Sequence, residues 1–271
     1  MKKTGLYIIL GVLCVGAAAY SGVRVFQQTY APPAITESAV VTPSPTPSAP
    51  PEPTPTPTDP PPTAEPTPVP TPTPTPYVSP VDFDSLQAVN PDIYGWLEMY
   101  NAGISLPIVQ DPENDEFYLN HNSDRAYSAN GAVFSEATYN TADFSDPVVV
   151  LYGHHMRDGA IFGNLQRYYS DSVFFDENPT FTVYAPDRTL TYGVFAAVPY
   201  PGDHILYYHD FTNDDVFQTF FREILETRDL SARFNEAYAP EPGDHVLILS
   251  TCLIGNNTNR FLVMGTLLDD Q

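Results

Sequence analysis

A long proline-rich stretch determines where this chain can fold. From Pro32 to Pro80 the sequence consists mainly of Pro, Thr and Ser, with repeated Thr-Pro dipeptides between Thr54 and Pro76. Such a stretch lacks the apolar side chains that a core requires, and each Pro removes a backbone hydrogen-bond donor. We therefore predict that residues 32–80 form a semi-rigid extended linker and that one globular domain occupies residues 81–271.

The segment ahead of the linker is apolar. Residues 5–26 carry almost no charge and follow Lys2 and Lys3. This length can span a bilayer as a helix, and the preceding lysines favour a cytoplasmic N-terminus. Residues 1–31 are thus predicted to be a cytoplasmic stub and a transmembrane anchor, which makes the protein a single-pass protein of the cell membrane with residues 81–271 outside the cytoplasm. The alternative is a cleaved signal peptide, because three alanines at residues 17–19 resemble a cleavage site.

The charge of the globular region excludes one class of partner. Residues 81–271 contain 29 Asp and Glu residues, 8 Arg and no Lys. A domain this acidic repels nucleic acid, so we expect no DNA or RNA partner. The acidic run from Asp111 to Glu116 lacks the ligand spacing of a calcium loop and is interpreted as a solvated turn. The pair His154-His155 lacks the spacing of a zinc site, and we predict neither a metal nor a cofactor.

Short segments rich in β-branched and aromatic residues indicate a mainly β fold with added helices. The predicted strands are residues 96–100, 104–109, 131–134, 148–152, 180–184, 190–198, 245–249 and 260–267. A short helix from residue 82 or 84 is expected to end at Asn90-Pro91, and a longer amphipathic helix covers residues 214–227, capped by Asn213.

Cys252 is the only cysteine of the globular region, so that region has no internal disulfide. The apolar strand His245–Leu249 is followed by Ser250, Thr251 and then Cys252, and the next predicted strand begins at Arg260. Two strands joined by so short a loop are most simply antiparallel neighbours, which places Cys252 opposite Arg260. A thiol attacks as its thiolate, so an adjacent cation suits a nucleophile.

A nucleophilic thiol also needs a base, and one histidine pair is well placed. His154 and His155 follow the strand Val148–Tyr152, where a rigid strand positions loop residues for catalysis. Neighbouring residues that leave a strand point to opposite sides, so one of the two should face the thiol. The residues alone leave that choice open. They also allow a surface-displayed binding module in which Cys252 is only core packing.

Together these segments resemble the sortase family, and most closely its class B. The resemblance rests on ordered segments that cover residues 82–268: Asn90–Leu97, Leu106–Gln110, Tyr118-Leu119, Gly131–Phe134, Tyr152–Met156, Leu249–Cys252 and Asn259–Val263. One departure is Ile248, which stands where the family signature often has a Thr.

The resemblance implies a closed sortase-type β-barrel of about eight strands, with an N-terminal helix and a helix before the last strand pair. It implies that Cys252 is the nucleophile, His154 the acid/base and Arg260 the group that steadies substrate or oxyanion, with Ser250 and Thr251 binding substrate.

The activity that it implies is transpeptidation at the surface of a Gram-positive-type cell. A C-terminal sorting signal of a secreted protein is cleaved through a thioacyl enzyme, and the product passes to an amino group of a peptidoglycan precursor or a pilin subunit. A hydrolytic cysteine peptidase is the alternative enzyme.

Overall fold

The computed structural model describes residues 77–271 apart from Ile254 and the side chains of Asn256 and Asn257. The predicted anchor (1–31) and all but the last four residues of the predicted linker (32–80) lie outside the described residues. Within the described range, no helix combines the length and the apolar character needed to cross a membrane.

The domain begins with a helix and a hairpin, as predicted. Helix α1 spans Phe83–Val89, and the carboxylate of Asp82 caps it by accepting a hydrogen bond from the backbone N–H of Ser85 at 3.1 Å. Strands β1 (Ile93–Met99) and β2 (Ile104–Val109) pair antiparallel. Gly103 closes the hairpin with a φ of 66°, which glycine adopts without strain.

The remaining predicted strands and the long helix occur in the predicted order, and the structure adds three short helices and one short strand, β7. They are β3 (Val133–Phe134), β4 (Val148–Tyr152), α2 (Arg167–Ser170), α3 (Ser172–Glu177), β5 (Thr180–Tyr184), β6 (Thr189–Tyr200), α4 (Ile205–Tyr208), α5 (Asp214–Leu225), β7 (Arg233–Phe234), β8 (Val246–Leu253) and β9 (Asn256–Asp270). Short 3-10 helices lie at Tyr100–Ala102, Phe117–Leu119, Gly163–Gln166 and Glu236–Tyr238.

Eight of these strands form a closed barrel. The strand order is β5-β1-β2-β3-β4-β8-β9-β6, and a further pairing of β5 with β6 closes the ring. Strand β7 joins the outside of this ring at β6. Most neighbours are antiparallel, but β2–β3 and β4–β8 are parallel. The predicted mainly β fold, with its closed barrel and added helices, is confirmed.

Strands β4, β8 and β9 are buried on both faces, and this explains their continuous apolar sequences. One face, which includes Val149 and Leu247, packs in the larger of the core clusters. The opposite face, which includes Val150 and Ile248, packs against α5. The helix is amphipathic, as predicted, and the buried residues on its apolar face are Phe217, Phe220, Phe221 and Ile224.

The acidic run after β2 begins with a buried residue, Asp111. Asp111 is only 6% exposed, and its carboxylate accepts hydrogen bonds from the backbone N–H groups of Glu113 and Asn114. It also forms an ion pair with Arg125 at 2.9 Å. The prediction of a solvated turn is therefore wrong for Asp111, because the cation of Arg125, fourteen residues away in the sequence, pairs with its carboxylate. Residues 112–114 and 116 are exposed, as predicted.

Candidate active site

Two parallel strands bring His154 and Cys252 to the same edge of the barrel. In the β4–β8 pairing, Tyr152 is opposite Ser250, and the backbone N–H of Gly153 donates to the Ser250 carbonyl at 3.1 Å. His154 and Cys252 each lie two residues beyond this matched pair. Because parallel strands end at the same edge, residues almost one hundred positions apart become neighbours.

Gly153 allows the chain to leave β4 close to the core. A Cβ atom at this position would stand 2.7 Å from the ring of Phe162, which is fully buried. The absence of a side chain therefore lets the backbone pass against Phe162 immediately before it reaches His154.

The predicted pairing of Cys252 with Arg260 is present. The two residues are direct register partners in the antiparallel β8–β9 pair, and the Nη1 atom of Arg260 donates to the Cys252 Sγ atom at 3.3 Å. Both side chains are half-buried, and the thiol is free. The guanidinium therefore places a permanent positive charge next to the sulfur atom.

His154, Cys252 and Arg260 line one cavity of about 210 Å³. Its remaining lining residues are Leu119, Phe134, Tyr152, Gly153, Ser250 and Thr251. Ser250 and Thr251 are only 4% and 2% exposed, so they lie in the floor of this cavity. The three residues expected to carry the chemistry are thus together, and the expected contact of Ser250 and Thr251 with substrate stays a prediction.

The structure separates the two adjacent histidines. His154 faces the cavity of Cys252, whereas His155 lines a different cavity of about 850 Å³ with Leu253 and Asn164. The pKa of His155 is lowered by burial and by the nearby charge of Arg157. The two side chains leave the strand end in different directions, and His154 is the one of the pair that shares a cavity with Cys252.

The orientation of His154 depends on a backbone carbonyl that the sequence did not indicate. Its Nε2 atom lies 2.8 Å from the carbonyl oxygen of Leu119 in the 3-10 helix Phe117–Leu119. The residues Tyr118-Leu119 stood out only as part of a family resemblance. Nothing in their side-chain chemistry points to a contact through the main chain.

Two aromatic residues that carried no predicted role form a wall of the cavity. Phe134 and Tyr152 are register partners in the β3–β4 pair, with ring centroids 5.6 Å apart. Burial and the negative charge of Glu136 raise the pKa of Tyr152, so its hydroxyl stays protonated. The signal in the sequence was their position as the last residues of two predicted strands.

An ion pair next to this wall ties the segment after β6 to the segment after β3. His204, which caps α4, places its Nε2 atom 2.7 Å from the Oε2 atom of Glu136. The rings of Tyr139 and Tyr152 lie 4.7 Å and 6.2 Å from the His204 ring. Burial raises the pKa of Glu136, although His204 opposes that shift.

Comparison with known proteins identifies relatives of one kind. No protein-family model matches the chain. Sortase B of Listeria monocytogenes is 28% identical over 167 residues, which are 62% of this chain and 65% of that relative's length. The X-ray structure of Clostridium perfringens sortase B has a TM-score of 0.61 and 26% identity, covering 69% of this chain and 100% of that one. The Staphylococcus aureus sortase B–substrate complex has a TM-score of 0.60 and 25% identity, covering 69% of this chain and 84% of that one.

Proposed function

The chain belongs to the class B sortases, and on this premise we propose that it is a cysteine transpeptidase acting on C-terminal sorting signals of secreted proteins. The observation that carries the proposal is the donation from Arg260 to the Cys252 Sγ atom at 3.3 Å, inside a cavity that His154 also lines. A free thiol beside a fixed cation and an imidazole is the arrangement that covalent catalysis by cysteine requires.

In the first half-reaction, the thiolate of Cys252 attacks the backbone carbonyl carbon of the sorting signal. The tetrahedral intermediate collapses to a thioester, the peptide C–N bond breaks, and His154 donates a proton to the leaving amine. In the second half-reaction, an acceptor amine attacks the thioester carbon and gives up a proton to His154. A new amide forms, and the Cys252 thiolate is released.

Arg260 has two roles in this scheme. Before attack, its guanidinium holds the sulfur atom in place through the contact at 3.3 Å. During attack, negative charge moves from the sulfur to the former carbonyl oxygen, and a donor held by the barrel next to the sulfur stabilises that oxyanion without rearranging. Ser250 and Thr251 form the floor on which the sorting peptide lies, which is supported by their place in the lining of the cavity.

The partners and the location follow from the same proposal. Residues 1–31 anchor the protein in the cell membrane in a single pass, residues 32–80 are the linker, and the catalytic domain of residues 81–271 faces the cell wall. The donors are secreted proteins with a sorting signal, and the acceptor is an amino group of a peptidoglycan precursor or of a pilin subunit. The structure of Staphylococcus aureus sortase B was solved as a substrate complex, and this supports the binding of a substrate by the present chain.

The proposal is tested with a panel of fluorogenic sorting-signal peptides and two pairs of variants. Cys252→Ala is expected to abolish cleavage and the thioacyl adduct seen by mass spectrometry, whereas Cys14→Ala, the loss of the other cysteine, leaves both intact. His154→Ala is expected to lower kcat/KM by about 10²- to 10⁴-fold, the usual contribution of a general acid–base. His155→Ala is the matched control and retains activity. Full activity of the Cys252→Ala variant would reject the proposal.

Transpeptidation and hydrolysis are separated by the fate of the acyl group. An amine, such as hydroxylamine or a short peptide with a free N-terminus, is added to the reaction. A transpeptidase then forms more of the new amide product and less of the hydrolysed free acid as the amine concentration rises. A hydrolytic cysteine peptidase gives mainly free acid at low amine concentration, because water reacts readily with its thioester.

A further inference from the structure

The contact between His154 and Leu119 fixes which ring nitrogen carries a proton. A carbonyl oxygen can only accept a hydrogen bond, so the Nε2 atom, 2.8 Å away, must be the donor. In the neutral imidazole the lone pair is then on Nδ1. The Nδ1 atom lies on the opposite edge of the ring from Cδ2, which is the carbon that faces Gly131.

We propose that the turn Phe117–Leu119, held in place by Arg125 and approached closely by Gly131, is the positioning element for His154. It holds the imidazole as the Nε2–H tautomer, so that Nδ1 is the atom that gives and takes the proton during transfer. This inference rests on the proposed function for the meaning of proton transfer, but its structural content does not depend on activity. Leu119, Gly131 and Arg125 are positioning residues, because they act through His154.

Gly131 brings the chain against both the turn and the imidazole. Its φ is +61°, and a Cβ atom would lie 2.6 Å from the Tyr118 carbonyl oxygen, 2.9 Å from that of Leu119 and 3.2 Å from the Cδ2 atom of His154. The neighbouring N–H of Ala132 donates to the Tyr118 carbonyl at 3.0 Å. Only a glycine fits here without displacing the acceptor of His154.

Arg125 fastens the turn to the start of the barrel. Its guanidinium forms ion pairs with Asp92, directly before β1, and with Asp111, two residues after β2. Its Cζ atom also lies 4.5 Å from the ring centroid of Phe117, the first residue of the turn. The side chains of Asp92 and Asp111 are only 10% and 7% exposed, so a single cation neutralises two largely buried carboxylates.

Tyr118 provides the second attachment of the turn. Its side chain is 1% exposed, and its hydroxyl donates to the carboxylate of Asp92 at 2.6 Å. The same hydroxyl accepts a hydrogen bond from the fully buried side chain of Asn90 at 2.8 Å. The two residues directly before Leu119 are therefore tied to the start of the barrel, and this restricts the direction of the Leu119 carbonyl.

This arrangement performs the task of the third group in a catalytic triad. A base is effective when another group orients it and selects its tautomer, and here a main-chain carbonyl replaces the usual carboxylate. A carbonyl does not take up a proton, so it orients the ring without adding a charge to an already acidic domain. A shift of the ring by about 1 Å is enough to lower a rate by roughly a hundredfold.

The first test measures the tautomer directly in the full-length protein in detergent. Long-range ¹H–¹⁵N correlation spectra of histidine-labelled protein, assigned to His154 with a His154→Gln variant, are recorded at a pH where the ring is neutral. We expect a protonated, pyrrole-type Nε2 and an unprotonated, pyridine-type Nδ1. The Nδ1–H tautomer, or a mixture of both tautomers in exchange, would overturn the inference.

The second test compares two glycines with the same backbone strain. Gly131→Ala and Gly103→Ala both place a Cβ atom at a φ near +60°, but the nearest atom at Gly103 is 3.6 Å away, in the side chain of Asn164. We expect Gly131→Ala to lower kcat by at least about tenfold, to change KM little and to disturb the tautomer signal of His154. Gly103→Ala should change none of these. Equal effects of the two substitutions would contradict the inference.

A milder variant covers the case in which Gly131→Ala does not fold. Arg125→Lys keeps the positive charge but loses the planar guanidinium that reaches two carboxylates. We expect it to lower kcat and to shift the pH profile of kcat, with a smaller loss of stability than Gly131→Ala causes. An unchanged pH profile and tautomer signal would count against the inference. The inference can also fail while the proposed function holds. If His154 has the other tautomer and Cys252→Ala is inactive, only the positioning role of the turn is rejected.

Discussion

At the scale of single residues, the reactivity of Cys252 depends on the charge of Arg260. We predict that Arg260→Gln lowers the rate at which iodoacetamide alkylates Cys252 at pH 7 by about tenfold or more. The reason is that the substitution removes a cation that lies within hydrogen-bonding distance of the sulfur atom. Arg260→Lys retains the charge and should lose much less. The rate is followed by mass spectrometry of the single modified site. An unchanged rate in Arg260→Gln would mean that the 3.3 Å contact has no influence on the thiol.

The residues of the site differ in how far the sequence reveals them. The pairing of Cys252 with Arg260 was predictable because a short loop leaves few ways to connect two strands. The choice of His154 over His155 came from a resemblance, since alternation along a strand states only that the two point apart. Leu119 lies 35 positions from His154 and acts through its main chain, which no side-chain pattern encodes.

At the scale of elements, the ion pair between Glu136 and His204 makes the attachment of α4 sensitive to pH. Burial raises the pKa of Glu136 from its ordinary value of 4.5, so the folded protein holds this proton more tightly than the unfolded chain does. The contribution of Glu136 to stability is therefore fully present below the ordinary value and is lost as the pH rises through the raised pKa. Glutamine at this position has no proton to lose.

We therefore predict that Glu136→Gln becomes more stable relative to the unsubstituted protein as the pH rises from about 4 to about 7, because only the unsubstituted protein loses the contribution of the Glu136 proton. Urea unfolding at several pH values measures this difference, in which groups that titrate alike in both proteins cancel. The same substitution in a His204→Gln background should show a steeper dependence, because the His204 charge lowers the pKa of Glu136. A difference that is constant or falls with pH would contradict this account.

The sequence predicted the type of each of these strands better than it predicted the residues at which they begin and end. The strand predicted from Leu190 to Val198 runs from Thr189 to Tyr200, and the strand predicted to begin at Arg260 begins at Asn256. The extension of β6 to Tyr200 pairs with β9, where Tyr200 is opposite Arg260. The extension of β9 to Asn256 pairs with β8, where Asn256 is opposite Leu253. Polar residues such as Asn256 give no local strand signal, and cross-strand pairing overrides their propensity.

At the scale of the whole molecule, sequence patterns predicted strands but not their partners. The parallel pairs β2–β3 and β4–β8 join segments that are distant along the chain, and the alternation of side chains specifies faces rather than neighbours. The closed barrel was therefore an implication of the resemblance. Its strand order matters for the site, because β4 and β8 hold His154 and Cys252 at one edge only when they are adjacent.

The barrel also predicts which parts of the chain the domain needs. Its described core extends from Phe83 to Met264, so we expect a chain that begins at Tyr77 to match the full-length protein in its urea midpoint and in its rate of peptide cleavage. Tyr77 is a suitable start, because its hydroxyl hydrogen-bonds to the Thr189 hydroxyl at 2.8 Å.

A chain that begins at Asp92 is the contrasting case. It loses the buried ring of Phe83, 5% exposed, and the fully buried Asn90 that bonds to the Tyr118 hydroxyl. We expect it to be less stable by about 3 kcal/mol or more, the usual cost of removing a buried aromatic side chain. It should also lose kcat beyond what the loss of stability explains, because Tyr118 is part of the turn that orients His154. Equal stability of the two truncated chains would show that α1 contributes nothing to the domain.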